Sequence, residues 1–310
     1  MANRKVTISN KVQRIITSFK PATLCLFALG LEKKIVGIDT SSKRDKLHRA
    51  IMPEVINLPG VGSKSSGLNF ETMVSLKPDL VILYAQKDGI ALADKLKIMN
   101  IPSIIILPES FESVKTTLGV IAMAAGVPER AELVEKTMDS VLELVKKRIQ
   151  MLSIDTRKTG YFASPRGLFS TATGNMLQDD IFTRSGIINV AHDLKGYFQD
   201  ISPEQFIKWN PDIIILSQHI SSRVFKRLEN PAIKTVNAIK SKTAYRFPCN
   251  LAPWDFPSPL SAIGVLWLAS KTYPELFEDI NINRKIDDFH KTLFGKTFTQ
   301  MNGKTDEQIF

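Results

Sequence analysis

At 310 residues, with 41 Lys and Arg against 31 Asp and Glu, the chain carries a formal net charge of +10, and its length suggests about two domains rather than a disulfide-stapled mini-protein. A content of 44% hydrophobic and 23% charged residues, with Gly and Pro at 16 each, is that of a globular protein able to bury a sizeable core, which excludes disorder, collagen and coiled coil. The longest apolar runs, such as Ile104–Leu107 and Ile213–Leu216, fall far short of the ~18 residues that a membrane span requires.

The chain opens Met1-Ala2-Asn3-Arg4-Lys5, basic but with no apolar stretch behind it, so no signal peptide is visible at this start. Arg14–Thr17, Ile35–Ile38, Leu80–Leu83 and Ser103–Leu107 then read as buried strands separated by helical patterns. Continuous apolar strands with crossover helices define the α/β class, with parallel sheets covered on both faces. From Pro128 to about Leu152, apolar residues recur every three and four positions, with Glu129 and Glu132 at the start and Lys146, Lys147 and Arg148 near the end. These termini follow helix capping and dipole preferences, and such a helix is about 36 Å long. The same strand grammar restarts with Thr159–Ala163, Ile187–Val190, Ile213–Leu216 and Thr243–Phe247.

An internal repeat organises this pattern. Leu68–Leu83 lies over Ile201–Leu216 without a gap, which aligns Glu71 with Glu204. Each copy holds a cap residue, Asn69 or Ser202, an acid in the first helical turn, a short helix, a Pro-Asp turn and a strand. The expected segments are therefore an α/β lobe over 1–127, a long helix over 128–155, and a second α/β lobe with a C-terminal helix and tail over 156–310.

Other motifs narrow the chemistry. Cys25 and Cys249 form no C-x-x-C pair, which argues against a zinc ribbon or a redox motif. Lys and Arg are scattered without a basic run of five, so nucleic acid is not expected as a partner. The segment Gly60–Ser65 lacks Walker spacing because Ser63 precedes Lys64, although an anion nest stays open there. His48, His192, His219 and His290 have no metal-ligand spacing; only His192 and His219 are weak metal candidates. No G-x-S-x-G context surrounds Ser164 or Ser185, and no paired acid and base has a recognisable spacing.

The repeat, the long helix, Arg14–Ser18 leading to Ala28–Leu31, and the closing Trp254–Pro259 with Tyr273–Phe277 resemble the helical-backbone substrate-binding proteins of ABC importers for iron–siderophore, haem and cobalamin. The resemblance covers roughly residues 12 to 280. It implies two Rossmann-like lobes joined by one helix, a ligand cleft between them, and no enzymatic activity or permanent cofactor. It also implies a monomer that is periplasmic or extracytoplasmic, works with an ABC permease, and docks to it through Glu71 and Glu204.

In open α/β sheets, ligands lie beyond the carboxyl ends of the strands. That rule nominates Lys20, Lys64, Tyr84, Lys87, Arg166, Lys195, Tyr197, His219, Arg223 and Trp254 as ligand-binding residues. Their surplus of cations implies an anionic ligand, and the aromatic rings suit a flat chelate. An iron(III) chelate of the siderophore type is the leading expectation. Haem, cobalamin, or a molybdate or tungstate oxyanion remain open within the class, and a cytosolic two-lobed enzyme is the reading from another class.

Overall fold

The computed structural model describes residues 5–8, 11–63, 67–85, 89–221, 223–248, 250–305 and 309. Two compact units emerge. The first comprises 1–137, 257–259 and 287–302; the second comprises 138–256, 260–286 and 303–310.

In the first unit, β1 (Ile15–Thr17), α1 (Lys20–Ala28), β2 (Ile35–Gly37) and α2 (Lys46–Ile51) precede a small antiparallel hairpin of β3 (Gly62–Ser63) and β4 (Gly67–Leu68). Then follow α3 (Phe70–Ser75), β5 (Leu80–Tyr84), α4 (Gly89–Ile98), β6 (Ser103–Ile106) and α5 (Phe111–Ala125). The sheet order is β2-β1-β5-β6, every pairing parallel. The apolar runs sit inside because both faces of such a sheet are covered: all of β1, β5 and β6 is buried. Val81, Leu83 and Ile105 pack with Met73 of α3 and Leu92 and Leu96 of α4.

Ser110 caps α5 in a reciprocal box with Ser113, and Gly126 ends it in the left-handed region. The next helix, α6 (Pro128–Ile149), has 22 residues and is about 33 Å long. It stops short of Leu152, its basic last turn at Lys146–Arg148 as expected, and the boundary of the two units falls within it.

The second unit contains β7 (Thr159–Ala163), β8 (Ser170–Thr171), α7 (Leu177–Arg184), β9 (Ile188–Asn189), β10 (Gln199–Asp200) and α8 (Pro203–Trp209). It continues with β11 (Ile213–Leu216), α9 (Arg223–Leu228), α10 (Asn237–Lys240), β12 (Ala244–Arg246) and α11 (Ser261–Thr272). Its sheet order is β10-β8-β7-β11-β12, with β9 added parallel to β7. The core strands β7, β11 and β12 are parallel, whereas β8 and β10 form an antiparallel margin.

The sequence pattern assigns all of 156–310 to the second lobe. Pro257–Pro259 and Asp287–Asn302 instead pack with the first unit, so α12 (Ile282–Phe294) belongs to both. Within the first unit the Arg130 guanidinium donates to the carbonyls of Ala28, Thr292 and Leu293, satisfying the orphaned C-terminal carbonyls of α12. Ile286, Phe289, His290 and Leu293 are the buried face of α12.

The repeat is visible atom by atom. Lys77 and Asn210 both hold φ of 46°, the left-handed turn that ends α3 and α8. The Asp79 carboxylate accepts from the N–H groups of Gln13 and Arg14 at 2.8 and 2.9 Å, and that of Asp212 accepts from the N–H and hydroxyl of Thr159, both at 2.9 Å. Each Pro-Asp turn thus anchors the start of the neighbouring first strand, β1 or β7.

Candidate functional site

A helix that feeds a parallel strand runs antiparallel to it, so its N-terminus lies at the sheet's carboxyl edge. In each unit that edge therefore collects the loops after the strands together with the first turn of α3 or of α8.

In the first unit, β1 is followed by Ser18, whose N–H and hydroxyl both donate to the Ile82 carbonyl of β5. Lys20 follows as the first residue of α1; it is buried and pairs with Asp45 at 3.1 Å. Asp45 also caps α2 by accepting from the Leu47 N–H. A nominated ligand cation is thus engaged by a structural partner. Beside it lies the buried Asp39, which accepts from the hydroxyls of Ser41 and Thr23 and from the Ser42 N–H. His48, wholly buried against the Phe27 ring, has Nδ1 3.0 Å from the Ser42 carbonyl, which marks Nδ1 as the protonated nitrogen. Its Nε2 has no partner among the described residues, and burial holds the imidazole below its ordinary pKa.

At the end of β5, Tyr84 is mostly buried, lies tilted against the Phe19 ring with centroids 4.4 Å apart and donates its hydroxyl to Glu109. Gly60–Ser65 does not form an open nest over its described part: Gly62 and Ser63 pair with Leu68 and Gly67. Lys64 and Lys87 lie outside the described residues. Glu71 is exposed in the first turn of α3, whose cap Asn69 accepts from the Thr72 N–H.

The second unit presents a more open polar edge. After β7, exposed Arg166 donates to the Phe198 carbonyl at 3.2 Å and lies over that residue's ring at 5.9 Å, and the ring stacks on Phe162. Lys195 and Tyr197 are exposed in the same loop, and Thr173 and Asn175 tie that loop down through the Gly196 carbonyl and N–H. His192 is exposed and pairs through Nδ1 with both oxygens of Asp179 at 3.0 and 3.1 Å, while Asp179 also accepts from Asn189. The ring is thereby oriented with Nε2 left to face outward. Gly174 permits this approach, since a Cβ there would stand 2.2 Å from the His192 carbonyl oxygen.

After β11, Ser217 donates to the buried carboxylate of Asp255 at 2.8 Å, and Gln178 donates to the Asp255 carbonyl. His219 is exposed with its ring against Phe256, and Arg223 is exposed at the start of α9. Trp254 has 0% exposure and its backbone packs on Gly264 of α11, so its ring offers no face to a ligand in this conformation. Glu204 is exposed in the first turn of α8, its carboxyl lowered by its own backbone N–H and the Ser202 hydroxyl.

Of the nominated residues, the fold gathers Arg166, Lys195 and Tyr197 into one neighbourhood, with His192 anchored nearby. Sequence reasoning passed over Asp179, Gln178, Thr173 and Asn175. The two acids Asp179 and Asp180 open a helix, where they read as dipole partners; the polar Gln178-Asp179 step in an otherwise apolar turn was the available signal. No group of three or more His, Cys, Asp or Glu side chains able to hold a metal exists among the described residues. The exposed polar groups of this edge, Arg166, Lys195, Tyr197 and His192, lie around one loop, whereas the Ser217 hydroxyl is buried on Asp255.

Two α/β units that share a repeated Pro-Asp anchor are the architecture of a periplasmic binding protein. The chain matches the periplasmic binding protein family over residues 15–251 and belongs to it. It is a substrate-binding protein of the ABC-importer type, not an enzyme. Among its relatives, the molybdate-binding protein MolA of Haemophilus influenzae is 24% identical over 97% of this chain and 91% of that protein. The structure of MolA bound to molybdate superimposes with a TM-score of 0.84 at 23% identity, covering 98% of both chains. A Bacillus subtilis ABC transporter substrate-binding lipoprotein, YvrC, is 26% identical over 90% of this chain and 85% of its own. Helicobacter pylori CeuE with Ni(II) bound shares the fold at a TM-score of 0.83 and 23% identity, covering 96% and 95% of the two chains.

Proposed function

We propose that this chain is the extracytoplasmic binding component of an importer for an anionic, metal-containing solute, held by the carboxyl-edge loops and passed to a membrane permease. The observation that carries the anionic reading is the loop set of the second lobe: Arg166 and Lys195 exposed beside an outward-facing His192 whose Asp179 partner is already engaged. A compact oxyanion of the molybdate or tungstate kind ranks first. Such an ion needs guanidinium, ammonium, hydroxyl and N–H donors rather than broad aromatic faces. The burial of Trp254 and Tyr84 withdraws two of the rings that a flat chelate would use. The near full-length likeness to a molybdate-binding relative supports the same ranking.

A ferric siderophore is the second reading, favoured by Tyr197 at 41% exposure and by the exposed imidazoles of His192 and His219. Lys64, Lys87 and Arg223 belong to the proposed ligand set in either case. Glu71 and Glu204 are the proposed permease contacts, supported by their equivalent exposed positions on α3 and α8.

Thermal shift against molybdate, tungstate, sulfate, ferric catecholates and hydroxamates, haem and cobalamin tests the ligand. Saturation at a hundredfold excess over Kd stabilises by about 2.7 kcal/mol. A rise with molybdate or tungstate, reduced at least tenfold in affinity by Arg166→Ala with Lys195→Ala, is expected. A rise with a ferric chelate alone replaces the oxyanion reading, and no rise with any of them refutes both ligand readings. In reconstituted transport, Glu71→Arg with Glu204→Arg abolishes uptake while binding persists; unaltered uptake refutes the docking role.

A further inference from the structure

Half of the chain's net charge is concentrated on one connection. Between Ile220 and Thr243, which carry the chain from β11 to β12, stand Arg223, Lys226, Arg227, Lys234, Lys240 and Lys242 against the single acid Glu229, a net +5 of the total +10. All six cations are exposed. The opposite side of the same connection is apolar and inward: Val224, Leu228, Ile233, Val236 and Ala238 are buried in the core with Ile214 and Leu216 of β11. The alternation of α9, Val224 and Leu228 inward with Lys226 and Arg227 outward, aims the basic residues away from the sheet.

The stripe runs the depth of the lobe. Arg223 starts at the carboxyl end of β11, whereas α10 sits at its amino end, where the Ala238 N–H donates to Pro211 and the Asn237 N–H to Asn210. Among the described residues, none of the six cations makes an ion pair. They are not spent on holding the fold.

We infer that the part of this stripe from Lys226 to Lys242, beyond the ligand-set residue Arg223, is a peripheral docking surface for an anionic lipid bilayer. A protein partner of ordinary affinity needs aromatic or aliphatic anchors at the centre of its interface; on this connection the large aliphatic side chains face inward, and Phe225 packs on the same core with Arg246 over its ring at 5.6 Å. A layer of lipid phosphates asks only for positive charge over an extended area, each Lys or Arg near the surface contributing roughly fivefold in affinity. No described helix is long and apolar enough to cross a membrane, so the contact is adsorption to headgroups rather than insertion.

The test is co-sedimentation of the full chain with vesicles of phosphatidylcholine alone or with 30% phosphatidylglycerol (about that fraction, to set a realistic surface potential). Binding to the anionic vesicles only, weakening steeply with added salt, is expected. Lys226→Glu, Arg227→Glu and Lys234→Glu together lower that affinity by at least about a hundredfold. The control Lys33→Glu, Lys136→Glu and Lys147→Glu removes the same charge from exposed sites elsewhere and lowers it by less than tenfold. Equal losses in the two triple variants, no binding to anionic vesicles at low salt, or equal affinity for a DNA duplex would each overturn the inference. Circular dichroism and melting of both variants establish that they are folded.

Discussion

Asp212 carries more of the second lobe than its partly exposed position suggests. Its carboxylate accepts from the Thr159 N–H and hydroxyl at 2.9 Å each and from the Asn237 side chain at 3.1 Å, tying β11, β7 and α10 together. Hydrogen bonds to a charged acceptor contribute about 1.5–3 kcal/mol each, but this group is only half-buried and water replaces part of what is lost, so Asp212→Ala costs about 2–3 kcal/mol. Burial alone would raise this carboxyl; the Thr159 and Asn237 donors, with Lys158 nearby, bring it below its ordinary value. The sign follows from linkage. A carboxyl depressed in the folded state stabilises fully above its unfolded pKa of ~3.9 and loses that contribution as pH falls through the folded value. Urea unfolding at pH 7 and at successively lower pH should show a gap between wild type and Asp212→Ala that narrows in acid. A gap below about 0.5 kcal/mol at pH 7, or one that does not narrow, refutes the anchoring role. Asp79→Ala, which strands the N–H groups of Gln13 and Arg14, should destabilise the first lobe by a comparable amount.

Two further outcomes follow from buried groups of the first unit. His48 is neutral in the folded state and, like any exposed histidine, takes a proton near pH ~6.5 once unfolded, so folding stability falls as pH drops from there towards its lowered folded pKa; His48→Asn should flatten the pH 7 to 5 slope of the melting temperature, and an unchanged slope contradicts the assignment. The Cys25 thiol is pushed up to about 12 by complete burial, so in a Cys249→Ser background it should stay unreactive to a disulfide reagent at pH ~8 until the chain is denatured; prompt labelling of the native protein contradicts its burial.

The core strands were legible because a run such as Ile213-Ile214-Ile215-Leu216 has one low-energy destination, a parallel sheet covered on both sides; β7 and β11 fall on the expected residues and β1, β2, β5, β6, β9 and β12 within one residue at either end, whereas the two-residue strands β3, β4, β8 and β10 leave no such run. The repeat was legible for a similar reason. Cap, helix, Pro-Asp turn and strand are each local, and the equal φ of Lys77 and Asn210 is their common geometry. The polar edge was less legible. Lys20 and Arg166 both follow a parallel strand at short range, yet Asp45 claims the first in a buried pair and the second reaches only a carbonyl and a ring at the surface. A neighbour 25 positions downstream leaves no periodic trace near Lys20. The His192–Asp179 pair escaped notice because an acid in a first helical turn looks the same whether it serves the dipole or an imidazole.

By itself the sequence determined the class, since hydrophobic period, caps and the duplicated turn are written in consecutive residues, and it determined the two exposed glutamates at equivalent places. Only the tertiary structure decided which cations are available. Composition showed Lys and Arg scattered without a long run, and folding laid six of them along the outer side of one connection while its aliphatic residues turned inward. The ring of Trp254 went inside, and part of the C-terminal segment went to the first unit, with Arg130 closing the end of α12. The physical reason is common to all of these. Burial and pairing are settled by groups far apart in the chain, and the cost of leaving a carbonyl, a charge or an aromatic face in the wrong medium is felt only once the surrounding elements have packed.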